Sequence, residues 1–131
     1  MSEQIEYIEG ELATLLMNGN ADLAALIGSR VYPLVLPKNP TLPAVVYQEL
    51  RSTARAAADG DTGQRESRFQ LSYWAGSFSA IKTGKRLLVD LLSGYGGGAV
   101  AGITVDAMRD DFEAETGWYR QIVEIIVLWT E

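Results

Sequence analysis

An α+β fold is what the sequence predicts: a four-stranded, mainly antiparallel sheet with helices packed on one face. Three observations carry that expectation. Apolar residues recur at helical spacing near the start of the chain and again between Ser77 and Leu92. Phe69, Leu71 and Tyr73 alternate with Arg68, Gln70 and Ser72, the period of a strand with one dry face. The final run, Ile122 to Trp129, is apolar on both faces apart from Glu124, as the central strand requires. Helices and strands come in runs rather than in strict alternation, which favours α+β over a parallel α/β sheet. A chain of 131 residues suits one domain over 1–131.

The elements follow in order. Ser2 to Met17 predicts an amphipathic helix, with Ile5, Ile8, Leu12, Leu15 and Leu16 on one stripe and Gly10 as its weak point. Ala21 to Ile27 predicts a second, short helix capped by Asn20 and ended by Gly28. Arg30 to Pro43 holds all four prolines, so it is neither helix nor central strand and reads as an extended arm. Ala44 to Leu50 and Arg65 to Trp74 predict an antiparallel pair. The small, polar segment Arg51 to Gln64 between them reads as a long loop, with Asp59-Gly60-Asp61 as a turn. Ser77 caps a third helix whose apolar face is Phe78, Ile81, Leu88, Leu91 and Leu92, with Lys82, Lys85 and Arg86 towards water. After Gly94 to Gly98, strands from Val100 to about Arg109 and from Trp118 to Trp129 close the chain. Asp110, Asp111, Glu113 and Glu115 then fall in the turn between them.

Composition narrows function. Lys and Arg number 11 against 17 Asp and Glu, a formal net charge of −6, which argues against a general nucleic-acid binder. There is no cysteine and no histidine. Disulfides, thiolate metal sites, cysteine nucleophiles and histidine-based triads are thereby excluded. The acidic, polar start lacks the basic and apolar pattern of a secretory signal, and the eight-residue run at Ile122 is too short for a membrane helix. A soluble protein made in the cytoplasm, without membrane contact, is expected.

Motif candidates weaken on inspection. Gly84-Lys85 resembles the end of a phosphate-binding loop, but Ser79 stands where the first Gly belongs and Arg86 where Ser or Thr belongs. The acidic cluster could hold a divalent cation, yet a solvated turn explains it more simply. Glu124 must face solvent or meet a cation such as Arg120 or Arg68. No catalytic, cofactor or metal residues are assigned, and a non-enzymatic role is expected. The candidate subunit or partner contacts are Tyr32, Pro33 and Leu36 of the arm, Arg51, Arg55 and Arg65 around the long loop, and Asp110 and Asp111.

Two blocks carry a resemblance. Gly28-Ser29-Arg30-Val31-Tyr32-Pro33 is followed by Leu42-Pro43-Ala44-Val45-Val46-Tyr47-Gln48, then Arg68 to Ala75, and a closing strand from Trp118-Tyr119-Arg120 to Trp129. In this order the chain resembles the tail-completion family of long-tailed phages, prophages and gene-transfer agents, from about Leu12 to Trp129. The resemblance implies a structural virion protein at the head-proximal end of the tail. It would form a homo-oligomeric, hexameric ring that caps the tail tube, ends its polymerisation and joins tail to head. The implied partners are other copies of the chain, the tail tube protein and a head–tail connector or neck protein. Catalytic residues and cofactors are not implied, and an acidic lumen would let DNA pass without specific binding. A neck protein nearer the portal and a small non-viral binding module are the alternatives.

Overall fold

The computed structural model describes residues 2–57 and 60–130, with side chains described for 8–54 and 63–130. Three helices and five strands follow one another: α1 Ser2–Asn18, α2 Ala21–Ile27, β1 Val31–Pro33, β2 Ala44–Ala57, β3 Gly60–Ala75, α3 Phe78–Leu92, β4 Val100–Glu113 and β5 Trp118–Thr130. The sheet order is β1-β2-β3-β5-β4. Two hairpins, β2–β3 and β4–β5, are joined along an antiparallel seam between β3 and β5.

The caps are local and legible. The Leu23 amide donates to Asn20 Oδ1 at 3.0 Å and the Ala80 amide to Ser77 Oγ at 3.2 Å, each satisfying an otherwise orphaned helix donor. Gly28 ends α2 with a φ of 55°. Helix α1 runs through Gly10 unbroken. All three helices lie on one face of the sheet. Ile8, Leu12 and Leu16 of α1, Leu23 and Ile27 of α2, and Ile81, Leu87, Leu88 and Leu92 of α3 form one core with Phe69, Leu71, Tyr73, Val123, Ile125, Val127 and Trp129. Gly84 brings α3 close to the sheet: a Cβ there would stand 2.3 to 2.6 Å from ring atoms of Tyr73. Its role is that approach, not phosphate binding. Phe78, expected in the core, is 52% exposed at the start of α3.

The sheet departs from expectation in three places. It has five strands and is mixed rather than four-stranded and antiparallel, because Val31–Pro33 pairs parallel with Val45–Tyr47. Two bonds flank the β1–β2 pairing, from the Val45 amide to Arg30 O at 3.0 Å and from the Leu34 amide to Tyr47 O at 2.9 Å, and neither needs an N–H on Pro33. A residue without an N–H is therefore tolerated at this edge. Second, Arg51–Ala57 and Gly60–Gln64 are strand rather than loop. β2 and β3 stay paired through Ala57 and Gly60, with shifts at Glu49/Arg51 and Arg55/Ala56 that let small and polar residues extend the ladder. Asp59, expected in a turn, lies outside the described residues. Third, β4 continues to Glu113, so the acidic residues from Asp110 to Glu113 are strand residues and the turn is shorter, with Gly117 at a φ of 76°. The last strand, expected at the centre, is interior, but the central position belongs to β3.

Candidate functional site

Strand parity decides what each face of the sheet presents. Odd residues of β3 enter the helix-side core, and even ones, Arg68, Gln70, Ser72 and Trp74, point to a second face on which no helix packs. Register adds Val46 and Gln48 from β2 and Arg120 from β5 to that face. Beside it the proline-rich arm turns through Leu34, whose φ is 68°, and leaves Leu34 66% and Val35 71% exposed. Arm and sheet together enclose a groove of about 320 Å³, lined by Leu34, Val35, Leu36, Val46, Gln48, Gln70, Ser72, Trp74, Glu113, Trp118 and Arg120.

Arg120 organises one end of this groove. Its Nη2 and Nε donate to Asp111 Oδ2 at 2.5 and 3.0 Å, and its guanidinium lies 4.9 Å from the Trp74 ring centre. Trp74 in turn meets Trp118 edge-to-face at 6.3 Å. The guanidinium beside Asp111 holds its carboxyl below the ordinary carboxylate value, the hydrogen bond being the main cause. Further along the face, Arg68 pairs with Asp106 at 2.6 Å and with Glu124 at 3.7 Å, while Arg109 reaches Glu124 at 3.0 Å. Glu124 thus meets Arg68, one of the two expected cations, and Arg109 in place of Arg120.

The candidate residues read from the sequence do not converge on one point. Leu36 lines the groove and Asp111 reaches it through Arg120. Tyr32 and Pro33 stand in β1 beside it, half-buried and exposed respectively. Arg51 is exposed on β2, opposite Arg68 and higher in the sheet. Arg55 stands opposite Gln64 in the backbone register, and its side chain lies outside the described residues. Arg65 donates to Gln64 O at 3.0 Å and sits opposite Trp129. Asp110 points the other way from Asp111, to Lys82 Nζ of α3 at 2.5 Å. The acidic run is therefore split between two faces by strand alternation, and among the described residues no three acidic side chains gather as a metal ion would require. Sequence reasoning missed the aromatic pair and Arg120's place beside it. The signal was present: Trp74 falls on the even, wet face of β3, and Trp118-x-Arg120 begins the strand beside it.

This arrangement is a groove, apolar at the arm and charged along the strands. Comparison with known proteins bears on the fold and the family. No curated protein matches the sequence. In fold the chain is similar to one from a solved structure of the virion of a native gene transfer agent particle, with a TM-score of 0.66 and 17% identity over 91% of this chain and 92% of that one. The family model described as tail completion protein gp17 matches residues 11–130, which takes in every strand, the arm and the groove. The chain belongs to the tail completion protein gp17 family.

Proposed function

We propose that the protein, a structural component of phage-type tails, closes into a ring on the head-proximal end of the tail tube, six copies being the number its family resemblance implies. There it stops tube polymerisation, joins tail to head and lets DNA pass through an acidic lumen without gripping it. The role is non-catalytic and needs no cofactor, and assembly takes place in the host cytoplasm. The observation that carries this reading is the family match across the whole sheet. The physical fit is that a closed ring is a heterologous contact, so each copy must offer two different surfaces. The exposed strand edges on the two sides of the sheet supply them, and the groove beside Leu34 to Leu36 is left for the tail tube protein. Within this reading Tyr32, Pro33, Leu36, Arg51, Arg55, Arg65, Asp110 and Asp111 remain the proposed contact residues, with Trp74, Trp118 and Arg120 added.

Electron microscopy of particles made without this protein tests the role. Overlong or unattached tails are expected, and normal particles overturn it. Pull-down against purified tail tube protein and against portal separates a tube cap from a neck protein: capture by the portal alone refutes the cap.

A further inference from the structure

Two stretches of sheet edge stand open. On the outer side of β2, β1 covers only Val45–Tyr47, with Leu34 bonding Tyr47 O, and no backbone hydrogen bond among the described residues reaches that side from Gln48 to Ala57. On the outer side of β4, the Gly94–Gly97 loop covers Val100–Ile103 through the Gly94, Ile103 and Gly97 amides, and nothing comparable among the described residues reaches Thr104–Glu113. Long open edges are templates for pairing with another chain, here with bulges at Glu49/Arg51, Arg55/Ala56 and Val105/Ala107 along them. Both carry exposed apolar side chains, Leu50 on β2 and Met108 and Phe112 on β4.

We propose that adjacent copies join edge to edge, the open half of β2 in one copy pairing antiparallel with the open half of β4 in the next. This rests on the ring reading and says where its subunits meet. Three features argue for a second copy as the occupant. The open stretches match in length, from residue 48 to 57 and from 104 to 113. Antiparallel pairing runs throughout from β2 to β4, which makes those two strands opposite in direction, so the junction continues the antiparallel order. The charges are complementary. Arg51 and Arg55 face only Glu49 on the β2 stretch, whereas Asp106, Asp110, Asp111 and Glu113 outnumber Arg109 on β4. Asp106, Asp110 and Asp111 are paired with Arg68, Lys82 and Arg120 within their own copy, which offsets most of that charge, so the backbone ladder and apolar side chains hold the junction.

The covers lie at opposite ends of the sheet, β1 near Trp74 and the glycine loop near Trp129. The open halves therefore meet only when neighbouring copies are staggered along the strands, by about five residues or roughly 17 Å at the usual strand rise. A stagger repeated at every junction closes only if the strands incline to the ring axis, the relation between shear and tilt that governs barrels.

Because the chain has no cysteine, introduced thiols report this junction alone. T53C/A107C and T53C/M108C, treated with a short bis-maleimide, are expected to give a ladder of covalent multimers on a denaturing gel, at least one of the two doing so, while T53C alone gives at most dimers. The mass of each sample in solution is measured alongside, with and without tail tube protein. A ring-sized particle that yields no ladder overturns the edge junction and leaves the ring standing. A strict monomer under all conditions overturns both. On the unaltered protein, amide exchange at 49–57 and 104–113 should slow by about tenfold or more on assembly, as newly paired backbone does. Unchanged exchange at those stretches in the assembled particle refutes the junction.

Discussion

The two faces of the sheet are built from alternate residues of the same strands, yet they are finished differently. On one, Phe69, Leu71, Tyr73, Val123, Ile125 and Val127 are at most 1% exposed beneath three helices. On the other, Gln70, Trp74, Arg120 and Glu124 remain half-buried, held by ion pairs and aromatic contacts and covered by no helix. Stability is concentrated where the side chains are dry, because burying apolar area stabilises a fold more than half-exposed ion pairs do. The second face satisfies its own charges and still leaves a groove. The lesson is that the parity of a residue on β3 or β5 sorts it between the helix-side core and the face that no helix covers among the described residues.

Substitutions should break this division unequally. The largest effect is expected at Phe69→Ala, which removes a fully buried ring from the middle strand and should cost about 3–5 kcal/mol in denaturant unfolding. Gly84→Ala should cost about 1–3 kcal/mol, since the added methyl meets a Tyr73 ring that is itself buried and cannot retreat. Trp74→Ala, on the other face, should lower unfolding stability by only about 1 kcal/mol through its lost Trp118 and Arg120 contacts. The same change should nevertheless weaken capture by purified tail tube protein while leaving self-association in place, and unchanged capture would show that the face is not a contact.

The smallest effect concerns pH. Asp111 is held below its ordinary value by Arg120, so its pairing stabilises the fold above the unfolded carboxylate range, near pH 4, and is lost as pH falls through the lowered folded value. Its side chain is 40% exposed, which limits the contribution to about 1 kcal/mol at most. Arg120→Gln should flatten the acid limb of the stability–pH curve below about pH 4 and leave the curve above pH 6 nearly parallel to that of the unaltered protein.

Periodicity made the helices, their caps and the identity of the interior strands legible. Asn20 and Ser77 could be named as caps because capping depends on residues three positions apart. Strand ends were harder. Nothing between Arg51 and Gln64 is strongly strand-forming, and its ladder is held by pairing across the hairpin, for which local sequence carries little signal. The acidic residues after Arg109 look like a turn because their neutralising partners, Lys82 and Arg120, lie elsewhere in the chain. β1 was hidden for a related reason. Three residues ending in proline make a strand only when Tyr47 and Val45 stand beside them. As for the groove, composition excluded histidine and thiol chemistry, but the meeting of Trp74, Trp118 and Arg120 required the β3–β5 register.

That register also sets the order of events when the chain first folds. Each hairpin closes between neighbouring segments, a short search for a flexible chain. The seam does not: Phe69 must find Ile125, and Ala75 must find Tyr119, across the whole of α3 and β4. Loop-closure entropy falls on that one step, and contacts of long sequence separation slow folding. Leu71→Ala in the seam should therefore slow refolding more than Val105→Ala on the outer hairpin strand when both are scaled by their loss of stability, a comparison that stopped-flow traces can make. Equal scaled rates for the two variants would show that the joint between the hairpins does not set the pace of folding.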